Sequence, residues 1–477
     1  MGVSTRRAER GQIIVLFVLS LAAIFAMASL LFDGAQALVQ RRVQQNASDT
    51  AALQAANLVQ SLKGCSATAG PPPGSPRAAV SAAAIAAVQA AIPGTPASAI
   101  TVSCPDGWNN YVVQVDVAGH SPSFFGGAVG IRGFDVRTTS QAVNGPVLPP
   151  PYSVLLLDNG NTSWPNGRRG CPAGLISGGP TIILEGSVMI DSSCTAANGG
   201  GLATNGNSAS ITLNNGATFK IVGGYAPAAL TISPTPLTGQ PYVKDPLAGL
   251  TPMPSSLPVR ATTRQVFGGA DQVLDPGIYQ GGIQLKNSVK AYLRPGIYVM
   301  QGGGFDIGAQ NAVYSVASGV TSTTDANWAT DCPEATCGIL FYNTGTASGS
   351  GAMGQVTVGA GATLKLRPYN HSYDGTGLNF PDYDNLLLWQ SVSPTVSSTY
   401  AQPQVNLSGG GNVNISGTVY APGALVYMTG GSGGSGGGTD LTLQFICWDL
   451  QIQGNSSFHF FYNNQKFAKP PDYGLIK

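Results

Sequence analysis

The hydrophobic pattern divides the chain into two kinds of text. Ile13 to Phe32 is a run of 20 residues without charge, and its only polar side chains are Ser20 and Ser29. As a helix rising ~1.5 Å per residue it is about 30 Å long, the thickness of a bilayer core. Arg6, Arg7 and Arg10 precede it, with Glu9 alone opposing. The positive-inside rule therefore places residues 1–12 in the cytoplasm and the chain beyond Asp33 outside. A cleaved signal peptide and a buried core helix are the alternatives. The run exceeds a signal core of ~7–15 residues, and no small-x-small site stands before a polar start. Helical text continues from Asp33 to Leu62, with no Pro, a single Gly, and apolar residues at Leu38, Ala52, Ala55 and Val59. That segment reads either as a plain juxtamembrane stalk or as one long helix whose outer half carries a small domain.

Pro71, Pro72, Pro73 and Pro76 break the helix. Ala78 to Ala91 predicts a second helix, stopped by Pro93 and Pro96. Val102, Tyr111–Val117 and Phe134–Thr139 read as strands. Residues 33–142 are thus expected to form a stalk helix with a small α+β domain, and residues 143–152, with Pro146, Pro149, Pro150 and Pro151, a stiff linker. From Tyr152 short apolar runs recur between Gly, Asn and Ser clusters, as in Thr181–Leu184, Ser187–Ile190, Ser210–Leu213 and Thr218–Val222. Pro276-Gly277-Ile278-Tyr279, followed by Gly281-Gly282-Ile283, returns 19 residues later as Pro295-Gly296-Ile297-Tyr298, followed by Gly303-Gly304-Phe305. Strand-length runs at a period near 20 point to a right-handed β-solenoid over 153–468, ending in a short tail, 469–477. A two-sheet sandwich or jelly roll also has many short strands and is the alternative; the repeat favours the solenoid.

Composition narrows the class. Charged residues are 9% of the 477, against roughly 25% in an average soluble domain. Lys plus Arg is 23 and Asp plus Glu is 22, a balance that excludes electrostatic nucleic-acid binding as the main activity. A hydrophobic content of 43% excludes a disordered chain, and no Gly-X-Y period marks collagen. The weakly charged text with 64 Gly and 33 Pro suits extracellular β structure. Seven cysteines all fall on the outer side of the predicted anchor, where disulfides persist. The expected pairs are Cys65 with Cys104, Cys171 with Cys194 and Cys332 with Cys337, leaving Cys447 in the apolar run Leu443–Cys447 as a buried thiol.

The N-terminal residues carry a resemblance. Arg10-Gly11-Gln12, the apolar run, Asp33-Gly34-Ala35 and the stretch Gln40–Ala56, QRRVQQNASDTAALQAA, resemble the N-terminal segment of TadE/TadG-like proteins of the bacterial Flp pilus (tight adherence) machinery. The resemblance covers residues 8–60 and implies a membrane-anchored envelope or minor-pilin-like subunit whose partners are other pilus-assembly proteins. One departure is that no Glu follows Gly11 inside the apolar run, as processed pilins have. Asp245–Leu250 and the runs after it resemble, more loosely, the passenger region of large TadG-like proteins.

Candidate chemistry is sparse. Leu155–Ser163 resembles the opening of a von Willebrand A metal site, which needs Asp-x-Ser-x-Ser; Gly160 stands where the first Ser would supply an oxygen. A strand followed by a turn is the expected reading. A polysaccharide-cleaving face would need paired carboxylates, and the densest groups are Asp325, Asp331 and Glu334, then Asp374, Asp382 and Asp384, both in turn-rich text. His120, His371 and His459 lie too far apart in sequence for a zinc site. The Gly-rich residues 430–438 lack the following helix that nucleotide binding requires. Trp164, Trp328 and Trp389 could stack sugars, and Phe458–Tyr462 would cap the last coil. The sequence thus leads to a non-enzymatic component without catalytic, cofactor or metal residues. It is anchored in the bilayer through Ile13–Phe32 and displays a β-solenoid outside, in contact with envelope proteins and no nucleic acid. The alternative is a membrane-anchored protein that binds or cleaves polysaccharide.

Overall fold

The computed structural model describes residues 9–62, 64–66, 75–105, 111–124, 132–146, 152–160, 171–206, 208–226, 229–251, 253, 255–324, 332, 336–345, 352–378, 380–392, 403–408, 413–430, 439–469 and 471–475, with backbone alone at 9–13, 22, 25, 26, 28–30, 60, 146, 439, 440 and 471–473. The chain is mostly β and divides into two compact units, residues 1–147 with 471–477, and residues 148–470.

The first unit is built on α1 (Glu9–Ser61), 53 residues of unbroken helix. Ala47, Ala51, Ala52, Ala55, Ala56 and Val59 form one buried stripe along its outer half, the spacing of a single helical face. The small side chains let α2 (Ala78–Ala91) approach with its own buried Val80, Ala84, Ala87 and Val88. The same core takes in an antiparallel sheet of β1 (Ile100–Ser103), β2 (Val112–Pro122) and β3 (Gly133–Pro146). A Cys65–Cys104 disulfide closes the unit. Two expectations need correction. Residues 143–146, placed in the linker, are the end of β3, and residues 471–475, placed in a tail, form a strand that pairs antiparallel with Ala142–Pro146. The backbone groups on the open edge of β3 require partners, and the returning C-terminus supplies them. The second unit is therefore an insertion between two neighbouring strands of the first.

Among the described residues no helix is long and apolar enough to cross a membrane. The apolar run of the sequence lies within α1, but its side chains at 13, 22, 25, 26 and 28–30 are outside the description.

In the second unit every strand pairing among the described residues is parallel, unlike the antiparallel ladders of a sandwich or jelly roll. Each strand generally pairs with the one three further along, so the chain circulates around three faces. Strand Gly277–Gln280 pairs with Gly296–Gln301, and that with Ile339–Thr344. Inward side chains from successive circuits form one continuous apolar core. The order of stacking departs from the order of the sequence. The last circuit, Thr439–Phe460, pairs on one side with Val413–Gly430 and on the other with the first circuit, Tyr152–Leu184. Both ends of the stack therefore come from mid-chain: Val259–Leu274 at one, Phe219–Ser233 at the other.

The connection between those ends, residues 234–258, spans the stack. One face counts ten strands in register, about 43 Å at ~4.8 Å per strand. Twenty-five residues reach at most ~80 Å when extended, so the connection suffices. Leu247, Leu250 and Leu257 bury themselves among Leu155, Ile297, Leu340, Leu386, Trp389 and Tyr420 on the outside of that face. This explains two kinds of strand text. Strands under the strap are buried on both sides and read as continuous apolar runs, as in Leu386-Leu387-Leu388-Trp389. Strands on the other faces alternate, as in Val356-Thr357-Val358 and Leu364-Lys365-Leu366, whose Thr357 and Lys365 face outward.

Candidate functional site

The polar side chains of the first unit gather where α1 lies against the β2–β3 hairpin. Ser48 and Ser140 are fully buried and their hydroxyl oxygens lie 2.7 Å apart. Ser140 Oγ donates to Asp49 Oδ1 at 2.5 Å, and Gln45 Nε2 donates to Asp49 at 2.8 Å and to Ser140 at 3.0 Å. One turn earlier, Gln44 packs over Gly119, where a Cβ would fall 1.7 Å from Nε2. Lower still, Asp33 accepts hydrogen bonds from the Phe124 backbone N–H at 2.9 Å and from Ser123 Oγ. Below Asp33 the surroundings change. Ile14–Leu19, Met27, Leu31 and Phe32 are exposed along α1.

Of the carboxylates singled out in the sequence, Asp325, Asp331 and Glu334 lie outside the described residues. The other three are each committed to a loop contact. Asp374 accepts from the Tyr369 hydroxyl at 2.7 Å and from Thr376. Asp382 accepts from Thr251 Oγ1 at 2.8 Å, which latches the strap to the stack. Asp384 accepts from the backbone N–H and the ring of His371, at 2.7 and 2.6 Å. Among the described residues no group of three or more His, Cys, Asp or Glu is placed to hold a metal ion.

A carboxyl pair that the sequence reading missed lies at the seam between the first and last circuits. Cys447 pairs with Leu156, which sets Asp449 beside Asp158 two residues on. Asp158 is fully buried and Asp449 is 2% exposed. Burial, the charge of Asp158 and a hydrogen bond to it hold the Asp449 carboxyl well above the usual carboxylate range. Burial beside a second carboxyl thus favours the neutral form of Asp449. On the next strand Asp191 is pushed up to about 6 by burial, against the stabilising Val243 N–H. Asp158 opens the stretch likened to a metal site. Its Oδ1 accepts from the Gly160 N–H at 2.8 Å, and Gly160 sits so close to Cys194 that a Cβ would fall 2.9 Å from its sulfur. Residues 161–163 are outside the described residues.

The remaining candidates are structural. The Cys171–Cys194 and Cys332–Cys337 disulfides form, and Cys447 is a buried thiol. Trp164 and Trp328 are outside the described residues. Trp389 is covered, within 4.9–6.0 Å of the rings of Tyr342, Tyr383 and Tyr420. Phe458 and Phe460 do not cap an end of the stack. Their strand pairs with Thr181–Leu184, so they fill the core at the seam. Residues 431–438 are outside the described residues. Among the described residues, cavities in the core of the stack include the following two. One of about 40 Å³ has only apolar side chains around it, among them Leu156, Ile190, Phe219 and Phe460. The other, about 30 Å³, lies among Leu364, Met428 and Leu443. Voids of this size are packing defects in the core: the first has no polar group to orient a ligand, and the second adds only Ser408 and Thr429 at its lining.

Residues 11–58 match the sequence model of the Tad family, described as "Putative Flp pilus-assembly TadE/G-like". The match runs along α1 from below the apolar run, past Asp33 and the Gln45–Asp49 turn, almost to the end of the helix. No curated protein and no solved structure matches the chain.

Proposed function

We propose that this chain is a non-enzymatic envelope component of Flp-type pilus assembly. In this reading Ile13–Phe32 is a single-pass anchor in the bacterial cytoplasmic membrane, and residues 1–12 face the cytoplasm. The outer half of α1 and the small unit stand on that anchor. The parallel stack is a right-handed β-solenoid held on the far side, the hand that parallel connections favour. The work is scaffolding and display without turnover, and other pilus-assembly proteins engage α1 and the small unit.

The observation that carries this reading is the change of surroundings along one helix. The half that packs small side chains into a core, Ala51–Val59, continues without a break into a half that leaves Ile14–Leu19, Leu31 and Phe32 uncovered. Large apolar side chains exposed in a row mark a binding or membrane surface. The family match spans both halves. A polysaccharide-cleaving face has less support, because Asp374, Asp382 and Asp384 each serve a loop contact.

Complementation tests the proposal. Deleting the gene is expected to abolish piliation, and the full chain to restore it. A form exported by a cleavable signal in place of residues 1–32 is expected not to restore it. Restoration by the unanchored form would remove the anchor from the account, and unchanged piliation after deletion would remove the pilus.

A further inference from the structure

We propose that Phe124, just past the end of β2 in the β2–β3 hairpin, is a second membrane contact, resting on the lipid surface beside the point where α1 leaves the bilayer. The inference rests on the anchoring role proposed above and adds to it. The hairpin lies along α1 at three heights: Ser140 meets Ser48, Gly119 meets Gln44, and Ser123 meets Asp33. From Ser48 to Asp33 the helix advances 15 residues, about 22 Å at ~1.5 Å each. Pro122 pairs with Gly133, so the strand from Ser140 to the residue opposite Ser123 advances eight, about 26 Å at ~3.3 Å each. The two lengths agree. The paired strands descend the helix and bring Ser123 and Phe124 level with Asp33.

Asp33 is the first charged residue after the apolar run. It is 4% exposed, whereas Leu31 and Phe32 beside it are 74% and 67% exposed. A carboxylate at the edge of hydrocarbon loses its water, and it is tolerated only where other donors replace that water. Two are supplied just past the end of β2, the Phe124 N–H and the Ser123 hydroxyl. The same bonds hold the Phe124 backbone at the level of Asp33, with the residue 70% exposed. Arg132, also exposed, stands across the neck of the hairpin, where its carbonyl accepts from the Ser123 N–H at 3.3 Å. An uncovered aromatic residue and an exposed arginine on paired strands suit a headgroup layer, where a ring enters the interface and a cation meets phosphate. Continuity with the exposed Leu31 and Phe32 selects a lipid surface as the occupant. The contact at Phe124 would then fix both the depth and the tilt at which α1 emerges.

The test uses the full chain in vesicles of phosphatidylcholine and phosphatidylglycerol. The photoreactive residue p-benzoylphenylalanine replaces Phe124, Ile24 in the apolar run, or Val266 on the second unit, and lipid adducts are counted by mass spectrometry after irradiation. Adducts are expected at 124 and 24, each roughly tenfold above those at 266. Adducts at 24 without adducts at 124 would overturn the inference and leave the anchor standing; adducts at neither would overturn both. Asp33→Ala should lower the yield at 124 by about threefold or more and leave 24 unchanged. If that variant does not fold, Ser123→Ala, which removes a single donor, is read in the same way. An undiminished yield at 124 would overturn the role of Asp33 as the pin.

Discussion

Tyr279 and Tyr298 hold the same place in the two copies of Pro-Gly-Ile-Tyr, and each hydroxyl donates to the carbonyl four residues back, at 2.7 and 2.8 Å. The residues that precede the two prolines, Asp275 and Arg294, form an ion pair at 2.6 Å between circuits. The 19-residue repeat thus specifies a corner, while the ladder behind it runs at another offset, with Gly277 paired to Tyr298. Turn glycines in this unit differ in what they do. Gly303 has φ +68° and an added Cβ would lie 1.9 Å from the Gly281 carbonyl oxygen, whereas Gly361 has φ +77° and open space around it. Gly361→Ala is expected to cost about 1–2 kcal/mol, for the left-handed backbone alone. Gly303→Ala adds a backbone collision and is expected to cost about 2–5 kcal/mol. Urea midpoints of the two variants measure the difference, and equal losses would refute the collision. Asn311 shows how a polar residue can be legible as a turn and still surprise by its burial. It is 1% exposed and serves the Val289 N–H and the carbonyls of Leu285 and Gly308.

At the scale of the element, continuous apolar strands and alternating strands are both visible in the sequence, but the cause of the difference is the strap. Val243 donates to Asp191, Asp245 accepts from the Tyr420 hydroxyl at 2.8 Å, and Thr251 binds Asp382. Asp245-Pro246-Leu247 is legible as a turn; nothing in it says which strands it covers. The buried acid under the strap has a consequence in pH. The folded carboxyl of Asp191 titrates near about 6, above its ordinary range. An acid raised by folding favours the folded state below its ordinary pKa of about 4 and loses that contribution as pH climbs through the folded value. Asp191→Asn keeps an acceptor for the Val243 N–H and does not ionise. Its melting temperature relative to the parent is therefore expected to rise between about pH 4 and pH 7. A difference that stays flat across that range would contradict the burial of the charge.

At the scale of the whole molecule, the chain leaves the first unit after β3 and returns to pair with it. Deleting residues 471–477 strips the partner from Ala142–Pro146. The Asn144 N–H donates to the Tyr111 carbonyl on the β2 side, so the amides of 143 and 145 face the returning strand; their exchange is expected to accelerate by about tenfold or more, with the amides of the stack unchanged. Unchanged exchange at β3 would mean that the returning strand adds nothing. In the candidate site, Asp33 was legible only as part of a family pattern. Its donor Ser123 lies 90 residues away, and no local periodicity records such a contact.

The apolar run, the prolines after it and the period of each later segment sufficed to place both helices, β1 to β3 of the small unit and the circulating β text. The three cysteine pairs expected from the sequence are the three that form, although spacing alone does not fix connectivity. The tertiary structure alone decided that the last circuit closes on the first, that residues 234–258 cross the outside, and that the C-terminus completes the first unit's sheet. The reason is that parallel ladders are made by backbone groups, which are the same in every residue. Any apolar circuit can lie on any other, so the order of stacking is set by which arrangement covers the exposed edges and faces, a property of the assembled chain rather than of any segment in it.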